Sequence, residues 1–384
     1  MKSVKLLFII PSTGFAGTNS ALSSIYNNIG ADYDIRVLAI NGLGKCVYDF
    51  NKSLVVSNFL TAWNADFVDL NKKQRIIARI VKPLKHLPHR YAVIAESLMF
   101  SLSAFCQKLR SHPDIVIGFQ EGIATRYASH FRCKKKIAWL HCDYNRAYPL
   151  PINEIDLYNK YDSIVAVSEF TRSTFLGRYP SLGDKTLAIY NLLDAERIKV
   201  LTLEPVDDNR FLKQGFTIIS VGRLDPVKRF ESIPEIAAKL KGQGIQFRWY
   251  ILGGGAQETK ESIESNIEKF AVQDCVVMLG RKPNPYPYFK KADLLVSTSA
   301  SEACPMIFNE AKILGLSIVS ADFPTAKEFI DNGTNGIISP IEEIGQAIAE
   351  LTEDKELYAT IRQNSYLESS YNDSIITQLK TLFG

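Results

Sequence analysis

The residues best suited to chemistry lie in two short stretches of the second half of a 384-residue chain. The first is Val221-Gly222-Arg223-Leu224-Asp225-Pro226-Val227-Lys228-Arg229. The apolar run Phe216–Val221 before it reads as a strand, and Arg229–Lys241 after it as a helix. A planar guanidinium at Arg223 and a mobile ammonium at Lys228 suit two adjacent phosphates. Gly222 has no Cβ, so the backbone can turn there and approach a ligand closely. By position alone, ordinary surface cations on a solvated loop would read the same way.

The second stretch, Ser301-Glu302-Ala303-Cys304-Pro305-Met306-Ile307-Phe308-Asn309-Glu310-Ala311, follows an apolar run ending at Ser297. Pro305 fits a first helical turn and Gly315 a left-handed stop, which brackets a helix. Its N-terminus would offer backbone amides near Cys304, Pro305, Met306 and Ile307 as an anion seat. Glu302 stands just before that helix and Glu310 about one and a half turns inside it. They are then too far apart to share a proton, and would touch different parts of one extended ligand. Taken singly, Glu302 also fits a charge complementing the helix dipole, and Glu310 a solvated helix residue.

The elements that must position these loops alternate strand and helix through both halves. Val4–Ile10, Ile35–Ile40, Asp114–Phe119, Lys136–Leu140, Ser163–Val167 and Leu187–Tyr190 read as strands of the first half. Phe216–Val221, Phe247–Leu252, Val276–Leu279, Asp293–Ser297 and Ser317–Ser320 read as strands of the second. Near-continuous Val, Ile and Leu runs between helices predict α/β architecture with parallel sheets covered on both faces. The expected layout is two doubly wound domains, 1–195 and 196–365, with a polar linker near Glu204–Gln214. A C-terminal helix within 366–384 would pack back on the first domain. Two such domains would face each other across a cleft at the carboxyl ends of their strands, where open α/β sheets bind ligands.

The motifs then add up in order. Gly-Arg-Leu-x-x-x-Lys at 222–228, Gly253-Gly254-Gly255, Leu279-Gly280 through Asn284-Pro285 and Ala292-Asp293 come first. Glu-x7-Glu from Glu302 to Glu310 and Asn332-Gly333-Thr334-Asn335-Gly336 follow. This resembles the retaining glycosyltransferases of family 4, which have the GT-B fold of two Rossmann-like domains. The likeness covers essentially the whole second half. It is looser in the first half, through Gly14-Phe15-Ala16-Gly17, Trp139-Leu140-His141 and Asn191-Leu192-Leu193-Asp194.

The resemblance implies roles. Arg223 and Lys228 would hold the donor diphosphate and Glu310 the ribose hydroxyls. Glu302 would contact the transferred sugar with the amides after it, and His141 would lie beside that sugar. Gly17, Gly222, Gly254 and Arg281 would complete the donor surroundings. The implied reaction is sugar transfer from a nucleoside diphosphate sugar, a UDP-sugar favoured, to a hydroxyl with retention of configuration. It calls for no metal and no tightly bound cofactor. The acceptor would be a glycan or lipid-linked chain in bacterial capsule, O-antigen or lipopolysaccharide synthesis. The alternatives are a soluble small-molecule acceptor, or a nucleotide-sugar-binding protein without catalysis. Two departures stand out. Ala303-Cys304-Pro305 replaces the family's Gly-Phe-Gly after the first glutamate, and Thr18 follows Gly17 where a second glycine is usual.

The remaining features bound the class. The net charge of +4 conceals 24 Lys/Arg against 14 Asp/Glu in residues 1–190, leaving 21 against 27 for the rest. Between Lys72 and Arg90 there are seven Lys/Arg and no acid. Interleaved Ile76, Ile77, Ile80, Val81 and Leu84 make that stretch partly amphipathic, which suits an anionic membrane surface. No nucleic-acid module is evident. Asp32-Tyr33-Asp34 has the Asp-x-Asp form of a metal-diphosphate site, but it precedes an early strand, away from the ligand end, and reads as a turn. Gly253-Gly254-Gly255 lacks the full dinucleotide-binding spacing, and a close backbone turn towards the phosphates is expected instead. Six scattered cysteines and five histidines show no metal-ligand spacing. The apolar run at the N-terminus is too short for a secretory signal, and no apolar run reaches the roughly 18–20 residues of a membrane span. The expected location is the cytoplasm, peripheral to the inner face of the cell membrane.

Overall fold

The computed structural model describes residues 3–14, 16–42, 46, 48–64, 66, 69–147, 150, 152–212, 215–366 and 371–384. Phe15 of the N-terminal loop, residues 213–214 of the expected linker and residues 367–370 lie outside them, as do the side chains of His89 and Arg90. Two compact units are present: Met1–Leu193 with Asn372–Gly384, and Asp194–Tyr371. The division at Leu193/Asp194 precedes the polar stretch 204–214. That stretch is tied into the second unit, where Lys282 Nζ meets Asp208 Oδ2 at 2.9 Å and Asn284 Nδ2 donates to Glu204 Oε2 at 2.8 Å.

The first unit's sheet contains β1 (Lys5–Ser12), β2 (Asp34–Asn41), β3 (Leu54–Val56), β4 (Ile115–Gly118), β5 (Lys135–Leu140), β6 (Ser163–Ala166) and β7 (Thr186–Ala188). Their order is β3-β2-β1-β4-β5-β6-β7, with every neighbouring pair parallel. The second contains β8 (Phe216–Val221), β9 (Phe247–Leu252), β10 (Val276–Gly280), β11 (Leu294–Ser297), β12 (Ser317–Ala321) and β13 (Ile337–Ser339), in the order β10-β9-β8-β11-β12-β13, again all parallel. Central strands are buried along their length, as in β4, β11 and β12, because helices cover both faces. In each sheet the direction of strand addition reverses once, between β1 and β4 and between β8 and β11. Loops leaving the carboxyl ends at such a reversal diverge and make room for a ligand.

The C-terminal helix Tyr371–Phe383 belongs to the first unit from Asn372 onwards. Phe383 sets its ring edge-on to Phe8 and Tyr33, and Lys380 Nζ pairs with Asp32 Oδ2 at 2.9 Å. Asp32 and Tyr33 thus hold the chain end, next to Asp34 at the start of β2. Among the described residues no group of three or more metal-ligating side chains gathers.

One helix departs from expectation. Within His89–Ser111, the segment Tyr91–Ser111 is long and apolar enough by length and composition to cross a membrane, with a mean hydropathy of 1.2. Scattered polar residues break its apolar run, so no uninterrupted stretch reveals it.

Candidate active site

The loops after β8 and β11 meet at the second unit's reversal point. Ala300 N–H donates to the Val227 carbonyl at 2.8 Å, and Thr298 Oγ1 to the Lys228 carbonyl at 2.7 Å. Arg229 sits at φ 49°, a left-handed value that costs a side-chain-bearing residue. Its guanidinium offsets this by donating to the carbonyls of Thr298 and Ser299, each at 2.8 Å. Lys228 is thereby pointed at Glu302, Nζ to Oε1 2.7 Å, with both side chains largely covered. Ser299 Oγ donates to the same carboxylate oxygen at 2.8 Å, and Thr325 Oγ1 to the Glu302 carbonyl. Gly222 does not take the left-handed conformation. A Cβ there would stand 3.3 Å from Lys228 Cε and Phe230 Cζ, so the glycine leaves space for the lysine stem.

Arg223 is not brought to that pair. It extends into solvent, its nearest recorded carboxylate being Asp225 at a loose 3.8 Å. The two cations expected to form a phosphate clamp are therefore one exposed guanidinium and one lysine paired with a carboxylate. The glycine run also has a packing role. A Cβ on Gly253 would stand 1.9 Å from the Gly222 carbonyl oxygen, and one on Gly255 2.3 Å from that of Leu224. These glycines let the loop after β9 pack directly on the loop after β8. Gly254 faces the stem of the exposed Arg281.

The helix after Glu302 runs Met306–Ile313 and ends before Gly315, which takes φ 64°. Pro305 is its cap rather than its first turn, and the Met306 amide folds back onto the Cys304 carbonyl at 2.9 Å. With no N–H on Pro305, the expected anion seat is narrower than four amides. Ile307 is half-buried in the first turn.

Glu310 projects from this helix beside Tyr286, whose hydroxyl donates to Oε1 at 3.3 Å. Burial pushes the Glu310 carboxyl up to about 7, with the tyrosine bond opposing it, and burial, then the neighbouring carboxylate, raises the Tyr286 phenol. Tyr286 was missed in the sequence, although it directly follows Asn284-Pro285. Asn284 Oδ1 accepts from its amide at 3.1 Å, which starts the helix Tyr286–Lys291 and aims the ring.

In the first unit, Gly17 is exposed and opens the helix Gly17–Ile29. Asn19, also unmarked in the sequence, pins the preceding loop by donating to the carbonyls of Ser12 at 3.0 Å and Gly14 at 2.7 Å. His141 follows β5, its ring edge-on to Phe119 and its Nε2 buried with no hydrogen-bond partner among the described residues. Burial pushes its imidazole down to about 3, so it is neutral at ordinary pH. Its amide donates to Glu121 Oε2 at 2.7 Å, and burial raises that carboxyl as well.

Among solved structures, Anabaena Alr3699/HepE in complex with UDP-glucose superposes with a TM-score of 0.70 at 18% identity, over 98% of this chain and 99% of that one. TarM does so with a TM-score of 0.69 at 14% identity, over 100% and 99%. The architecture is the GT-B fold of two Rossmann-like parallel-sheet units.

In sequence, the chain is 25% identical over 223 residues to the Campylobacter jejuni N-acetylgalactosamine-N,N'-diacetylbacillosaminyl-diphospho-undecaprenol 4-alpha-N-acetylgalactosaminyltransferase, covering 57% of this chain and 58% of that protein. It is 32% identical over 169 residues to the amylovoran biosynthesis glycosyltransferase AmsK of Erwinia amylovora, covering 40% and 41%. The chain thus matches about half the length of such curated relatives. Residues 206–368, which hold every candidate of the second unit, match the family model described as Glycosyl transferases group 1.

Proposed function

We propose that this protein transfers a sugar from a nucleoside diphosphate donor, a UDP-sugar by preference, to a hydroxyl of a glycan or lipid-linked acceptor, with retention of configuration. The observation that carries the reading is the largely covered Lys228–Glu302 pair, 2.7 Å apart at the β8/β11 reversal of the unit that matches the group 1 glycosyl transferase model. An incoming diphosphate displaces Glu302 from Lys228, and Arg223 swings in from solvent as the second cation. Glu302, released, accepts from hydroxyls of the sugar. Ionised Glu310 accepts from the ribose hydroxyls, and His141 offers Nε2 to a sugar hydroxyl. The bond from the anomeric carbon to the phosphate oxygen breaks and one to the acceptor oxygen forms on the same face. The acceptor proton passes to the departing phosphate, so no side chain acts as nucleophile. The two cations compensate the diphosphate charge without calling on a divalent ion. A UDP donor is supported by the nucleotide named in the HepE structures, and a role in bacterial surface polysaccharide assembly by the names of the relatives.

Thermal shift against a panel of nucleoside diphosphates and their sugars tests the reading. A ligand at about 100 times its Kd adds about 2.7 kcal/mol to stability. The cognate donor should therefore raise Tm by several degrees, and Arg223→Ala with Lys228→Ala should abolish the rise. A rise unchanged in that double variant would remove the phosphate assignment.

A further inference from the structure

Among the described residues, the outer face of the helix His89–Ser111 is left exposed. Tyr91, Ile94, Leu98, Leu102, Phe105 and Leu109 recur at intervals of three and four, so they form one stripe. Each is 45–67% exposed. The other exposed positions between Tyr91 and Leu109 are Ser97, Ser101 and Cys106, so this face carries no charge along its length. Glu96 is turned aside to Arg126. The opposite face is docked. Met99, Phe100 and Ala104 are buried, and Ser103 Oγ lies 3.0 Å from the Tyr127 hydroxyl. A helix fastened this way along one side lies on its unit and does not cross a bilayer, despite its suitable length.

The neighbouring helix Lys72–Val81 continues the pattern. A reciprocal cap between Asn71 and Gln74 starts it, and its inner Val81 packs in one cluster with Met99 and Trp63. Its outer face exposes Ile76 at 57% and Ile80 at 71% among Lys72, Lys73, Arg75 and Arg79. Soluble monomers seldom leave so much contiguous apolar surface uncovered.

We propose that these two outer faces are a membrane-docking surface, in which the stripe Tyr91–Leu109 enters the hydrocarbon edge of an anionic bilayer while the cations of 72–79 meet lipid phosphates. Charge decides the occupant. A second copy in a two-fold contact would bring two acid-free basic segments together, whereas an anionic bilayer answers the cations and the stripe at once. The proposal rests on the lipid-linked acceptor of the reading above and is independent of the donor chemistry. It also goes further than basic attraction, because the apolar helix supplies a part that salt does not screen.

Sedimentation with vesicles of phosphatidylcholine plus phosphatidylglycerol, and of phosphatidylcholine alone, tests it. The unmodified protein should bind both, the anionic vesicles about tenfold more tightly or better at low salt. Leu98→Asp with Leu102→Asp should lower partition about tenfold or more on both lipids. The exposed Ser97→Asp, which disturbs no packing, should move it in the same direction. Lys72→Glu with Arg79→Glu should erase only the anionic preference. All variants should keep the thermal shift with nucleotide. The proposal falls if the unmodified protein stays in the supernatant with both lipids, or if the double leucine variant sediments unchanged. It falls equally if light scattering finds a dimer that this variant dissolves, because the face would then belong to a second copy. Vesicle binding without any nucleotide-induced shift would overturn the donor reading and leave this one standing.

Discussion

The two units share one strand order over six strands, with a seventh added in the first, yet the carboxyl ends of their sheets carry opposite chemistry. After β8 and β11 the loops hold charge: Lys228 against Glu302 at 2.7 Å, with Arg223 loose in solvent. After β4 and β5 the polar groups are buried and driven towards their neutral forms. His141 is pushed down to about 3, and Glu121 is raised while accepting the His141 amide. The reversal in strand order supplies the place in both units, and the loops decide what can happen there. A paired cation can exchange its partner for an anionic ligand. A desolvated imidazole repels ions and suits a neutral, hydroxyl-rich one.

The sharpest way to break this contrast is Lys228→Ala, which removes the exchangeable cation and leaves Glu302 as an uncompensated anion. Nucleotide release in the presence of acceptor should show kcat/KM falling about a hundredfold or more. A loss of only a few fold would mean that Arg223 alone carries the diphosphate.

His141→Asn tests the other side. It should slow transfer about tenfold while leaving the shape of the pH–rate profile intact, because a neutral histidine contributes no ionisation near its ordinary value. The linkage sign is equally definite. With the folded value lowered from 6.5 to about 3, the unfolded chain binds the extra proton in that window. The histidine's contribution to stability is therefore complete above pH 6.5 and is lost as pH falls towards 3. His141→Asn should flatten that acid-side decline in Tm.

Glu310 gives the smallest and most diagnostic effect. Its folded value is raised from 4.5 to about 7, so the folded state holds the proton more tightly and stability declines as pH rises across that window. Glu310→Gln should raise the ligand-free Tm by a few degrees at pH 8 and much less at pH 4. Nucleotide affinity should move the opposite way. Ribose hydroxyls need the ionised carboxylate, so binding should strengthen several-fold between pH 6 and 8 in the unmodified protein and stay flat in the variant. A flat profile in the unmodified protein would detach Glu310 from the ribose.

Much of the architecture was legible because strand and helix signals are local. The run Phe216–Val221 coincides with β8, and the glycine at 315 takes the left-handed turn that its position suggested. The stretch around Arg223 and Lys228, and the one from Glu302 to Glu310, stood out by residue type and spacing alone. Tyr286, Asn19 and the burial of Glu121 did not, since nothing in their immediate neighbours marks which group they meet.

What the sequence by itself determined, then, is the periodicity: alternating elements, parallel sheets, and charged loops at their ends. Only the tertiary structure decided that Lys228 is held by Glu302 while Arg223 is not, that Gly253 and Gly255 serve loop-on-loop packing, and that Tyr286 meets Glu310. It also left the stripe from Tyr91 to Leu109 uncovered. Pattern depends on the nearest few residues, whereas ion pairing, desolvation and the covering of a face depend on groups that only folding brings within contact distance.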